Sequence, residues 1–408
     1  MIVVVNRVSE RPPPKFLSRM HRKQRPPLKY EINFARGISM TKIANILRWF
    51  FAFLITAHPL YTSAADHHMT MTFIPPNKLL EAAGGPAFWE IYLDGEIDNQ
   101  TADQFSREVS RRGAEGALVS LNSPGGSLGG GLALGEAIRR YGMSTEVGSN
   151  PGTEQAYDRG LPGICASACV FAYLGGVYRW LNDRSKLGVH RYAKADPAEV
   201  SPDDMDNAQI ASGAIVSYLQ QMGVDAELLS IMAETAPARV TWLDKKTSER
   251  LNVVNSGRMP PRWTIETVTA GDAAELYLKG EQQTWVGTGK SIFLCGNSKL
   301  IFSPMYEGGS NSQNIANSSA RYSISIDDHF IPLKSDGTKL IVKNNYVTAM
   351  FPISKSMALS LDRARKIGFA AQPPGDGVTY WGFYVDVKTT QDAAKIRGFV
   401  RTCLGHTM

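Results

Sequence analysis

Two hydrophobic periods alternate along the middle of the chain. The run Phe88-Trp89-Glu90-Ile91-Tyr92-Leu93-Asp94-Gly95-Glu96-Ile97 is apolar and β-branched enough for a strand. Thr101 to Arg112 follows with helical spacing, as an amphipathic helix capped by Thr101. The unit then repeats. Ala117 to Leu121 predicts a short buried strand, Asn122 to Ser127 a Gly/Pro turn, and Leu128 to Tyr141 a helix with Leu128, Leu132, Gly135 and Ile138 on one side. Ser144 to Val147 is the next strand, and a Gly- and Pro-rich loop from Gly148 to Gly163 leads to a helix starting near Ser167 and then to a strand, Lys186 to His190. Alternating strands and helices predict a largely parallel sheet.

Helices are expected over Pro202 to Gly223 and Ala226 to Thr235, after which Val240 to Leu243 and Leu251 to Val254 close a first domain over residues 86–255. From about Gln282 the pattern shifts to period two, in Ser291 to Leu294, Tyr322 to Ile326 and Tyr380 to Val385, and ends in a helix from Gln391 to Leu404. Residues 282–408 are therefore read as a separate β-rich domain, with binding or assembly as its default role.

Composition narrows the class. With 408 residues, 43% of them hydrophobic and 20% charged, the chain can bury one large core or two moderate ones. Much of the net charge of +6 comes from the first 48 residues, whose basic cluster Lys15 to Lys29 is broken by proline pairs and reads as a solvated tail. The remainder has no basic stripe with interleaved aromatics, so no nucleic-acid partner is expected.

From Met40 a short positive region (Lys42, Arg48) precedes an apolar stretch, Trp49 to Ala57, and then Ser63-Ala64-Ala65-Asp66. This order predicts a secretory signal peptide over residues 40–65, cleaved after Ala64 or Ala65. The apolar stretch falls short of the ~20 residues that span a bilayer. The alternative is an uncleaved anchor that leaves the protein associated with the membrane, because His58-Pro59 interrupts the run. In either case the body is expected outside the cytoplasm, periplasmic or secreted. Residues 1–39 are a disordered tail or a mis-assigned start, with Met40 as the simpler initiator.

Four cysteines, Cys165, Cys169, Cys295 and Cys403, are an even number for an oxidising compartment. Of three connectivities, 165 with 169 and 295 with 403 is the economical one. The first pair needs a turn, because two fully helical residues four apart hold their Cβ atoms ~5–6 Å apart, beyond disulfide reach.

Candidate chemistry lies in three places. Asn122-Ser123-Pro124-Gly125-Gly126-Ser127 joins a strand to a helix, where paired glycines let backbone N–H groups face a ligand. Cys165-Ala166-Ser167-Ala168-Cys169 starts another helix, with small neighbours around a hydroxyl that would need a base to act as a nucleophile. His190 ends the following strand, where a parallel sheet returns it beside that turn.

In this order and spacing the three pieces resemble the ClpP/crotonase superfamily, more narrowly its exported ClpP-like members, over about residues 86–255. The resemblance implies an α/β fold, a spiral of β-β-α units with a largely parallel sheet, beside the β-rich C-terminal domain. It implies Ser167 as nucleophile, His190 as base, and Gly126 and Ala168 as oxyanion donors. It implies a peptide or protein substrate, a homo-oligomer, and neither cofactor nor metal. The family's aspartate has no counterpart, since Pro237 to Thr241 lacks a carboxylate. Asp244, Glu234, Asp203, Asp204 or Asp206 could orient His190, a two-residue site is also open, and Lys194 is an alternative base if desolvated. The expectation is an exported serine hydrolase, a peptidase, against a non-catalytic envelope binding protein. A crotonase-type reaction on a CoA thioester fits an exported chain poorly.

Overall fold

The computed structural model describes residues 68–78, 88–152, 161–193, 201–270, 273–296, 298–334, 337–375 and 380–405. The expected tail and signal peptide lie outside them, as does Lys194.

The first lobe is mixed α/β. Strands β1 (Thr70–Ile74), β2 (Glu90–Asp94), β3 (Leu118–Asn122), β4 (Ser144–Val147) and β6 (Arg179–Trp180) form one sheet in that order. β2, β3, β4 and β6 run parallel, and β1 joins the edge antiparallel. Period-two alternation turns Ile91, Leu93, Val119, Leu121 and Val147 inward, each at most 1% exposed. They share a core with Phe105 and Val109 of α1 (Thr101–Arg112) and Leu134 and Ile138 of α2 (Leu128–Arg140). Truncating one such residue, as in Phe105→Ala, is expected to cost about 3–5 kcal/mol. Thr101 is not the cap of α1. The N-cap is Gln100, and the Thr101 hydroxyl instead donates to Asp98 Oδ1 (2.8 Å) and accepts the Asp98 N–H (3.0 Å), fixing the turn before the helix.

A second, smaller sheet orders β5 (Ile164–Ala166), β7 (Lys186–Val189) and β8 (Thr241–Trp242), the first pair parallel and the second antiparallel. Parallel bridges link Ile97 to Gly126 and Ser123 to Cys165. The chain thus leaves a strand of the first sheet, makes a short bridge at the second layer, and returns through a helix.

Arg179 ties the far side of this lobe together. It is 1% exposed, and among the described residues no carboxylate meets it. Its guanidinium donates to the carbonyls of Val253 (2.8 Å), Gly176 (2.9 Å), Asn252 (2.6 Å), Leu174 (3.4 Å) and Met222 (3.5 Å). Burial pushes its pKa down to about 10, so it stays charged at neutral pH. Its backbone carbonyl accepts the Ser256 N–H, one residue before Gly257, where Trp180 and Trp285 meet edge to face.

The wholly antiparallel lobe begins at Arg262, ahead of the composition change at Gln282. The hairpin of β9 (Arg262–Ala270) and β10 (Ala273–Thr284) mixes Glu266, Glu275 and Lys279 with apolar positions, so its composition does not announce a strand pair. These strands join β11 (Gly287–Gly296), β12 (Lys299–Glu307) and three short strands in a seven-stranded sheet. A four-stranded sheet, including β13 (Arg321–Ile326) and the strand Lys366–Gln372, stacks on it. Aromatic rings fill the space between, with Phe293 and Phe302 stacked at 5.0 Å and Phe351 5.9 Å from Phe369. A disulfide joins Cys295 in β11 to Cys403 at the end of the last helix, Thr390–Cys403. Among the described residues no helix is long and apolar enough to cross a membrane.

Candidate active site

Three backbone segments converge at the layer between the two sheets. The first is the turn after β3. Ser123 is fully buried, its N–H donates to the Ile164 carbonyl (2.8 Å), and its hydroxyl accepts the Gly125 N–H (3.1 Å). Gly125 and Gly126 have φ of 114° and 130°, which L side chains rarely adopt. A Cβ at Gly125 would fall 2.7 Å from the Ser167 Cβ and 3.1 Å from the Ala168 nitrogen. One at Gly126 would fall 2.1 Å from the Ile97 carbonyl oxygen. Gly125 therefore lets this turn lie against the serine, and Gly126 lets it lie against Ile97.

The second segment is the turn from β5 into α3 (Ala168–Leu174). Ser167 stands between them at φ 56° and ψ −125° and is half-buried. Its N–H donates to the Gly188 carbonyl (2.9 Å), and its carbonyl accepts the Val170 N–H (3.0 Å). Its hydroxyl makes no capping bond to the helix. A disulfide links Cys165 to Cys169 across this turn. Strand geometry at Cys165 and the turn at Ser167 supply the approach that a continuous helix would deny.

β7 supplies the third segment. Its register pairs Ala166 with Gly188, so Ser167 leaves β5 beside Val189, and His190 is the next residue along. The half-buried imidazole places Nδ1 2.8 Å from the Arg191 carbonyl oxygen. A carbonyl only accepts, so Nδ1 carries the proton and Nε2 keeps its lone pair. Among the described residues Ser167 and His190 share no hydrogen bond. Such bonds are often long in unliganded sites and tighten with substrate.

None of the five candidate carboxylates hydrogen-bonds His190. Asp244 caps the helix Lys245–Arg250, accepting from the Thr247 N–H (2.8 Å) and hydroxyl (2.9 Å), and those bonds hold its pKa below the usual carboxylate range. Asp204 accepts the Ser201 N–H (3.0 Å). β8 pairs Thr241 with Val189, and continuing that register sets Val240 beside His190.

The Gly126 and Ala168 N–H groups have no hydrogen-bond partner among the described residues. Behind them, α2 approaches α3 closely, since a Cβ at Gly131 would meet the Ala168 carbonyl oxygen at 2.3 Å. Gly135 leaves room for the Tyr218 hydroxyl, which donates to the Phe171 carbonyl (2.6 Å). Beyond His190 a cavity of about 470 Å³ opens, lined mainly by apolar groups that include Tyr192, Ala208, Ile215, Leu229 and Met232. Among the described residues no three His, Cys, Asp or Glu side chains form a metal-binding group.

Two features here have no side-chain signature: the contact of Gly125 with Ser167 and the carbonyl that orients His190. The turn motif hinted at the first, and nothing in the chain pointed to the second.

No family model matches the chain, and no curated protein matches it. Among solved structures, a membrane-bound stomatin-specific protease in a Ser-to-Ala mutant form is similar at 18% identity and a TM-score of 0.30, over 40% of this chain and 75% of that one.

Proposed function

We propose that this chain is an exported serine hydrolase of ClpP/crotonase-like architecture that cleaves peptide bonds through an acyl-enzyme on Ser167. In this reading the Ser167 hydroxyl attacks the substrate carbonyl carbon while His190 Nε2 takes its proton. The tetrahedral oxyanion receives the Gly126 and Ala168 N–H groups. His190 then protonates the departing amine, and water releases the acyl group by the reverse sequence. The Arg191 carbonyl takes the orienting part that a carboxylate plays in a triad. The cavity beyond His190 would receive an apolar substrate side chain.

The observation that carries this reading is the backbone of Ser167. A non-glycine residue at φ 56° and ψ −125° is costly, by about 1–3 kcal/mol, and such residues cluster at functional sites. A serine-directed fluorophosphonate should label the full chain at Ser167, and Ser167→Ala should abolish the label. Equal labelling of the variant removes the assignment.

A second reading, a binding protein that keeps the cleft without turnover, is favoured by one observation: among the described residues His190 hydrogen-bonds neither Ser167 nor a carboxylate. Absence of labelling in the wild-type chain would select it. The two disulfides suit an oxidising compartment. Export is tested by N-terminal sequencing of protein from the cell envelope, where a mature end near Ala65 is expected. Sedimentation of the purified chain tests the homo-oligomer.

A further inference from the structure

Ser167 is not in the left-handed helical region where Asn, Asp and Ser are tolerated, because that region has ψ near +30° to +60°. At ψ −125° it occupies the first corner of a type II′ turn, a position that favours glycine. Something must hold a serine there. The hydrogen bond from its N–H to Gly188 fixes the strand side of the turn, and the one its carbonyl accepts from Val170 closes the first turn of the helix.

A further constraint, which spans both sides, is covalent. Cys165 is the middle residue of β5 and Cys169 the second residue of α3, both fully buried, with Cα atoms 5.3 Å apart. The bond between them spans Ser167 from two residues before to two residues after. It therefore ties the end of the strand to the start of the helix across the strained residue. ψ of Ser167 sets the plane of the Ser167–Ala168 peptide, so the same dihedral that places the nucleophile also aims the Ala168 N–H.

We infer that Cys165 and Cys169 are positioning residues: their disulfide holds Ser167 in the conformation that presents its hydroxyl and the Ala168 N–H to one substrate carbonyl. This inference rests on the hydrolase reading above for its catalytic meaning. It does not rest on it for its geometry.

The test uses the full chain, purified oxidised, beside Cys165→Ala/Cys169→Ala and the control Cys295→Ala/Cys403→Ala. Fluorophosphonate labelling at Ser167 is expected to slow by about tenfold or more in the first variant, with a melting temperature within a few degrees of wild type. In a crystal structure of that variant, φ of Ser167 should leave the positive region. The control should label at the wild-type rate. Reducing the wild-type protein should slow labelling, and reoxidation should restore it, a reversal that loss of packing at two cysteines would not give.

An unchanged labelling rate overturns the inference, and so does φ remaining near 56° without the bond. A Cys165→Ala/Cys169→Ala chain that does not fold assigns the disulfide to stability and overturns it as well. If the oxidised wild-type chain is not labelled at all, the hydrolase reading fails, while the Ser167 dihedral in the variant still decides whether the bond positions it.

Discussion

The two disulfides are chemically alike and are placed to do opposite things. Cys165–Cys169 spans a sequence separation of 4 at the candidate active site, whereas Cys295–Cys403 spans 108 and joins a strand of the β-rich lobe to its last helix. In the chain-entropy view a loop of ~100 residues gains about 4.7 kcal/mol on closure, and one of a few residues less than about 3. The longer bond therefore acts chiefly on the unfolded chain. The shorter one acts chiefly on native geometry, because it crosses the one residue whose backbone is strained at the site. The lesson is that position along the chain, not the bond itself, separates a fastener of the fold from a guide for a side chain.

The largest effect that would sharpen this contrast is in the first lobe. His190→Ala should lower peptide hydrolysis by ~10³–10⁴ while leaving the melting temperature near wild type. A comparable loss of activity on truncating a residue of the second lobe would break the contrast. Next comes Cys295→Ala/Cys403→Ala, expected to lower the melting temperature by roughly 5–15 °C, read by calorimetry on the full chain.

Gly125→Ala should act in the other sense. Its Cβ would collide with Ser167 and the Ala166 carbonyl, at 2.7 and 2.8 Å, in a backbone conformation alanine disfavours. Labelling should fall about ten- to a hundredfold, with a melting temperature lowered by only a few degrees.

The smallest effect belongs to the hairpin of the second lobe. There Lys279, with Tyr277 and Thr264, hydrogen-bonds Glu266 and holds its pKa down from the usual 4.5 to about 2. A carboxylate with a depressed folded pKa stabilises above its unfolded value, and that contribution is lost as pH falls from about 4.5 towards 2. Glu266→Gln should therefore melt below wild type at pH 7 by a degree or so, about the scale of a partly exposed ion pair. The gap should close as pH approaches 2; a gap that widens on acidification contradicts the assignment.

Much of the first lobe was legible because burial writes itself into hydrophobic period. Ile91, Leu93, Val119 and Leu121 alternate, α1 runs over the predicted Thr101–Arg112, and β4 over the predicted Ser144–Val147. Ser167 and Gly126 could be named as candidates because a strand-to-helix turn with small neighbours has a compositional trace, and His190 because it follows the next strand. What escaped notice was made of backbone. The Arg191 carbonyl that holds His190 is present in any residue, and the Gly125 contact depends on how two distant turns meet. The β9–β10 hairpin was missed for a different reason. Part of it is exposed on both faces, with Leu276 at 54% on one and Val268 at 40% on the other, so no clean inside and outside are imposed on its residues.

Arg179 has a consequence for how the molecule breathes. Its guanidinium donates to carbonyls at the end of α3, at the end of the helix Asp204–Gln221, and in the residues leading to Gly257, so none of these segments can open without stripping a buried cation of its partners. Amide hydrogens in all of them should therefore exchange with solvent together, as one cooperative unit with one opening free energy. Helix α3 and the passage into the second lobe would then share a single exchange rate, although their residues are about eighty positions apart along the chain.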